Sequence, residues 1–190
     1  MTPPTKIQAV IDFVTQWHLP QKRKFTGEPY VTHLIDVYKT VSEVTKDKTI
    51  HAAALCHDLY EDTDCSESQF VDYLLENGFS KEETKRINSL VFNLTDVYIK
   101  EHYPHLNRKK RKTLEARRLA NIQPDAQTIK YCDMIDNSKS IVKDAPGFAG
   151  KYLDEMKQIL EGMNKGDAKL YKRATKQCEK QLDLLINRKK

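Results

Sequence analysis

Apolar residues recur at spacings of three and four along nearly the whole chain, a period that fits helices and little else. Ile7, Val10, Ile11, Val14 and Trp17 make one stripe, and Leu34, Val37, Tyr38, Val41 and Val44 a second. Ala52, Leu55, Cys56 and Leu59 make a third. Phe70, Tyr73 and Leu74 mark a short helix that stops at Asn77-Gly78-Phe79. Ser80 with Glu83 reads as a capping box, opening a helix that carries Ile87, Leu90, Val91 and Leu94. A buried helix is expected from near Asp125, a loop over residues 144–150, and a stripe from Tyr152 to Met163. Gly166 interrupts the pattern before a last stripe through Tyr171, Ala174, Cys178, Leu182 and Leu185, which could also pair subunits in a homo-oligomer. Alternating strand patterns are scarce and glycines number only 6. The expectation is an all-α single domain, large enough to bury a core without staples.

Composition narrows the class further. Hydrophobic residues make up 39% and charged residues 31%, with no long apolar run. A membrane span is not expected. The N-terminal stretch MTPPTKIQAVIDFV lacks the basic, apolar and small-residue zones of a signal peptide, so the expected compartment is the cytoplasm. Cys56, Cys65, Cys132 and Cys178 show no C-x-x-C pairing, which argues against a zinc ribbon or a disulfide framework. They read as small buried apolar side chains. The net charge of +5 is local: residues 107–118, NRKKRKTLEARR, carry seven basic side chains and one acid.

Within the third stripe, ALCHDLYEDT (residues 54–63) crowds His57, Asp58, Glu61 and Asp62 into an apolar run. On a continuous helix Glu61 shares a face with His57 and Asp58, and Asp62 with Asp58. Three carboxylates on one face repel one another unless a cation or a basic substrate neutralises them. An imidazole beside a carboxylate is the usual start of a transition-metal site. Two neighbours cannot complete such a site. His33 on the preceding helix and Asp133 in the buried stretch IKYCDMIDN are the candidates from elsewhere, since an unpaired charge at Asp133 would be expensive. Ligands from three helices would leave positions open for water and substrate.

These segments carry a resemblance. TGEPYVTH, then AALCHDLYEDT, then IKYCDMIDN, in this order, are similar to the motifs of the HD-domain superfamily, and specifically to the hydrolase domain of RelA/SpoT-type alarmone enzymes. The match runs from about residue 20 to 140. The resemblance implies an HD-type helical bundle with its metal site between helices, spanning 1–190, with a core over 20–145 and packing helices over 151–190. It implies that His33, His57, Asp58 and Asp133 bind one manganese ion, other divalent metals being alternatives. Glu61 and Asp62 would orient or deprotonate the attacking water. Asn137, four residues after Asp133, resembles the family's nucleotide-contacting asparagine. The implied reaction removes the 3′-diphosphate of ppGpp or pppGpp, giving GDP or GTP plus pyrophosphate. The resemblance covers only the hydrolase half of the long enzymes, so the chain is similar to the stand-alone small alarmone hydrolases, the class that includes metazoan SpoT homologues.

Some positions depart from the family pattern. Leu34 follows the first histidine where proline is common, Tyr131-Cys132 stand where Leu-Ala is common, and Asp136 precedes Asn137. The basic segments suit a polyphosphate substrate: Lys22, Arg23 and Lys24 precede the first ligand helix, and Arg118 shares a helical stripe with Arg111 and Leu114. Arg23, Lys24, Arg118 and Asn137 are therefore the expected substrate contacts, arginine because its planar fork donates two hydrogen bonds to one phosphate. The segment EHYPH (101–105) reads as a loop rather than a second metal site. Residues 107–118 lack interleaved aromatics, so nucleic acid is not an expected partner. Two other functions stay open: an HD phosphohydrolase acting on a nucleoside mono- or triphosphate, a cyclic nucleotide or NADPH, or a non-catalytic nucleotide sensor.

Overall fold

The computed structural model describes residues 5–188. Helices α1 (Lys6–Trp17), α2 (Val31–Val41), α3 (Lys48–Leu55), α4 (Leu59–Asp62), α5 (Glu67–Glu76) and α6 (Lys81–Leu94) form one compact unit, which ends at Thr95. Helices α7 (Arg108–Leu119), α8 (Pro124–Ser138), α9 (Ile141–Asp144), α10 (Pro146–Gly162) and α11 (Ala168–Arg188) form a second, from Asp96 onward. The all-α expectation holds, since no strand occurs among the described residues and the only β pairing is a single bridge between Lys22 and Pro29. No helix among them is long and apolar enough to cross a membrane.

The first unit is built around α3, which packs against α1, α2 and α6. Every residue from Thr49 to Leu55 is buried, as expected of a helix enclosed on all sides. The run Ala52-Ala53-Ala54 keeps α3 thin enough for three neighbours to approach. Asp47 caps its start, accepting hydrogen bonds from the Thr49 backbone N–H at 2.8 Å and from the Arg86 guanidinium at 2.6 Å. Burial acts to raise the pKa of Asp47, but the bonds from Thr49 and Arg86 outweigh it and hold the carboxyl at about 2.

Around that centre the predicted punctuation is in place. Ser80 with Glu83 forms the expected capping box at the start of α6, and Ser66 with Gln69 forms a further one, not expected from the sequence, at the start of α5. Helix α5 ends in a Schellman motif at Gly78, whose φ of 85° is the left-handed conformation that glycine adopts without penalty. Its two bonds run from the Phe79 N–H to the Leu74 carbonyl and from the Gly78 N–H to the Leu75 carbonyl. Phe13 of α1 stacks on Tyr73 of α5 with ring centroids 4.1 Å apart, and the Tyr73 hydroxyl donates to the Ala9 carbonyl.

In the second unit α8 packs on α11 and α9, and α10 on α7, α9 and α11. Pro124 opens α8 at its first position, where the missing N–H costs nothing. Tyr131 is fully buried in α8 and its hydroxyl donates to the Met163 carbonyl at 2.7 Å. Gln127 accepts from the Lys165 N–H and Thr128 from the Asp167 N–H, so α8 binds the whole turn between α10 and α11. Gly166 is required there: a Cβ would sit 2.7 Å from a Tyr131 ring carbon and 2.8 Å from the Thr128 nitrogen.

One expectation needs correction. Residues 144–150 are not a loop, because α10 begins at Pro146 and runs through Gly147 and Gly150. Proline at the first helical position is a start signal. Gly150 gives Leu185 of α11 close access, its added Cβ falling 3.4 Å from a Leu185 methyl.

Candidate metal centre

His33 lies on the buried face of α2, beside Leu34 and Val37, so core packing fixes where its ring points. His57 and Asp58 arrive differently. Here the sequence expectation of one continuous helix through residue 62 is overturned: α3 ends at Leu55, and α4 starts only at Leu59. Cys56 (φ −103°, ψ 8°) and Asp58 (φ −102°, ψ 4°) turn the chain between them. The break matters chemically. On an unbroken helix neighbouring side chains diverge, whereas here His57 Nε2 and Asp58 Oδ2 lie 3.0 Å apart.

Three ligand atoms thus converge, His33, His57 and Asp58 each offering one within 4.8 Å of the others. The two Nε2 atoms are 3.2 Å apart, and His33 Nε2 is 3.6 Å from Asp58 Oδ2. His57 Nδ1 lies 2.8 Å from the Ala54 carbonyl, which only accepts, so Nδ1 carries the hydrogen. That leaves Nε2 of a neutral His57 with its lone pair facing the cluster. Both histidines are buried, at 1% exposure. Two imidazole nitrogens and a carboxylate oxygen, with a backbone carbonyl fixing one tautomer, are a donor set that fits a divalent transition-metal ion.

Glu61 and Asp62 follow on α4 and are exposed. Asp62 accepts a hydrogen bond from Gln21 Nε2 at 3.0 Å. Asp58 accepts one from the Tyr30 hydroxyl at 2.7 Å, and the Tyr30 ring packs edge-on against His33. Sequence reasoning assigned no role to Tyr30, Gln21 or His18. The signal for Tyr30 was present in GEPYVTH, where it stands three residues before His33. Arg23 and Lys24 lie in the turn closed by the Lys22–Pro29 bridge, Lys24 exposed with its ammonium over the Phe25 ring.

The second unit holds the remaining candidates. Asp133 is buried in α8, paired with Lys130 at 2.9 Å and accepting from the Asn137 amide. Arg118 of α7 donates to Glu115 at 2.7 Å, and buried Glu115 also accepts from the Val97 and Tyr98 N–H groups. Much of the basic run is tied down in the same way: Arg108 grips Glu155 with two bonds and Lys112 meets Asp96 at 2.7 Å. Asp136 pairs with Lys139, and Tyr131 is the core anchor described above. All four cysteines are free and buried, as expected. Burial pushes the Cys56 thiol well above its usual range, which suits a packing role.

A family model for the HD domain matches residues 11–159. The chain is 31% identical over 147 residues to the guanosine-3′,5′-bis(diphosphate) 3′-pyrophosphohydrolase MESH1 of Drosophila melanogaster, covering 76% of this chain and 74% of the fly protein. It is 30% identical over 137 residues to the guanosine-3′,5′-bis(diphosphate) 3′-pyrophosphohydrolase of Aquifex aeolicus, covering 72% of this chain. The chain spans only 18% of the length of that bacterial relative. Among solved structures, a metazoan orthologue of SpoT that hydrolyses ppGpp matches with a TM-score of 0.76 and 23% identity, over 95% of this chain and 97% of the other. That likeness is one of fold. The family match and the fly relative, aligned over most of both chains, carry the assignment: the chain belongs to the HD-domain family.

Proposed function

We propose that the protein is a manganese-dependent phosphohydrolase that removes the 3′-diphosphate of guanosine alarmones in the cytoplasm, releasing pyrophosphate from ppGpp or pppGpp. The observation that carries this reading is the convergence of His33, His57 and Asp58, with Glu61 and Asp62 on the next helical turn. The fly relative, named for this reaction and matched over 74% of its length, supports the choice of substrate.

His33, His57 and Asp58 would hold the ion, with Asp133 as the further ligand that the family resemblance implies. When bound, the ion supplies Lewis acidity, polarising a phosphoryl oxygen and acidifying water. Between them Glu61 and Asp62 orient the attacking water and take the one proton it gives up, the ordinary work of a carboxylate base. Asp62 has one oxygen held by Gln21, which leaves the other as the acceptor. Arg23, Lys24 and Arg118 supply positive charge to the phosphates, and Asn137 contacts the nucleotide.

A substrate panel tests the proposal. Purified protein with manganese is offered ppGpp, pppGpp, GTP, a dNTP, AMP and NADPH, with and without chelator. Chelator-sensitive pyrophosphate release from ppGpp or pppGpp is the expected result. Cleavage of another nucleotide with ppGpp intact would move the protein to a different HD nucleotidase group. Binding of ppGpp without any turnover would favour a sensor.

A further inference from the structure

His18 closes α1 and is 3% exposed, yet neither the core nor the metal cluster explains its contacts. Its Nδ1 lies 2.7 Å from Gln21 Oε1. The Gln21 amide donates in turn to Asp62 Oδ2 at 3.0 Å. A carboxylate only accepts, so the Gln21 NH₂ must face Asp62 and its oxygen must face His18. His18 Nδ1 is therefore the protonated nitrogen. Its Nε2 is buried with no hydrogen-bond partner, a rare exception in a folded protein that calls for an explanation.

The face of the same imidazole is committed too. It stacks on Tyr30 with centroids 5.1 Å apart and planes 17° from parallel. The Tyr30 hydroxyl donates to Asp58 Oδ2, the oxygen that lies 3.0 Å from His57 Nε2. The backbone fastens the two arms together, with the Gln21 N–H on the His18 carbonyl and the Tyr30 N–H on the Gln21 carbonyl. One buried ring thus supports two donors, each bonded to a different carboxylate.

We propose that His18 is a positioning residue that aims both carboxylates, Asp62 through Gln21 and Asp58 through Tyr30. The Tyr30 arm sets how Asp58 presents its oxygen to a divalent ion. The Gln21 arm fixes which Asp62 oxygen is free to take a proton. The second arm rests on the hydrolase reading and the first does not, because ion binding needs no substrate.

The test uses the full chain, with manganese affinity by calorimetry, steady-state kinetics on the best substrate of the panel, and thermal melting as the folding control. Tyr30→Phe is expected to weaken manganese about 10–100-fold, the usual effect of removing a partner behind a metal ligand. Gln21→Leu should leave manganese affinity within about twofold and lower kcat about tenfold or more at unchanged KM. His18→Leu should do both. His18→Asn places an amide N–H where the imidazole Nδ1–H was and should restore the kcat lost in His18→Leu.

The proposal is overturned if kcat of His18→Asn at saturating manganese is as low as that of His18→Leu at equal melting temperature. It is equally overturned if the kcat losses of His18→Leu and Gln21→Leu multiply in the double variant, since residues acting through one relay cannot lose it twice. Were wild type to turn over nothing in the panel, the hydrolase reading would fall, and the manganese affinities of Tyr30→Phe and His18→Leu would still decide the Asp58 arm. Wild-type affinity in both variants would sink it.

Discussion

Nε2 of His33 and Nε2 of His57 face each other across 3.2 Å, both rings buried at 1% exposure. Two imidazolium ions could not share that space, and two neutral rings satisfy it only through one hydrogen bond. A cation receiving both lone pairs resolves the arrangement better, with Asp58 supplying the negative charge. Replacing His57 with alanine is predicted to lower manganese affinity on the order of 100-fold or more, beyond the usual loss for an outer partner. Calorimetric titration of His57→Ala measures it directly, and wild-type affinity would refute the site.

Glu61 is exposed on α4, outside the three-atom cluster. Glu61→Gln is therefore predicted to keep manganese affinity while turnover falls about 100-fold or more, the scale of a lost general acid–base group. Turnover at the wild-type rate would show that Glu61 takes no part in moving the proton.

The turn between α10 and α11 depends on the absence of a Cβ at Gly166 and on the Tyr131 hydroxyl. Gly166→Ala drives a methyl into Tyr131 and the Thr128 backbone and should cost about 1–3 kcal/mol, the usual range for overpacking. Tyr131→Phe leaves the Met163 carbonyl without its donor and should cost about 1–3 kcal/mol. Urea unfolding of each variant checks both, and a neutral result at Gly166 would show that the turn can move away.

Asp47 makes stability depend on acid. Its folded pKa of about 2 lies below the usual 3.8, so its contribution is complete above pH 3.8 and is lost as pH falls through 2. Asp47→Ala should cost about 1 kcal/mol at neutral pH, as loss of a helix cap does. Stability curves of variant and wild type should converge toward pH 2. A constant gap down to that pH would mean that packing, not the charge, is what the substitution removes.

The helices were legible in the sequence wherever one face is apolar and a cap marks the end. Ser80 with Glu83 and the glycine after Asn77 announced their elements by local chemistry alone. The break at Cys56–Asp58 was not legible, because no glycine or proline marks it. At that break the buried His57 ring bonds the Ala54 carbonyl three residues back, a local side-chain contact that apolar spacing does not report. The start of α10 is hidden for the opposite reason: the glycines of DAPGFAG carry a loop signal, although the proline before them opens the helix.

The candidate ligands could be named from motif order, but the layer behind them could not. Gln21 and Asp62 are forty-one positions apart and Tyr30 and Asp58 twenty-eight, and each pair meets only through the packing of the first unit. Tyr131, a departure from the family pattern, is a core anchor for the α10–α11 turn.

The most direct measurement is pyrophosphate release from ppGpp by purified protein, followed as manganese is added to chelator-stripped enzyme. The account predicts no release in the stripped state, a saturable rise with manganese, and the loss of that rise in His57→Ala. Release that persists without metal, or none at manganese concentrations that saturate binding, would contradict it.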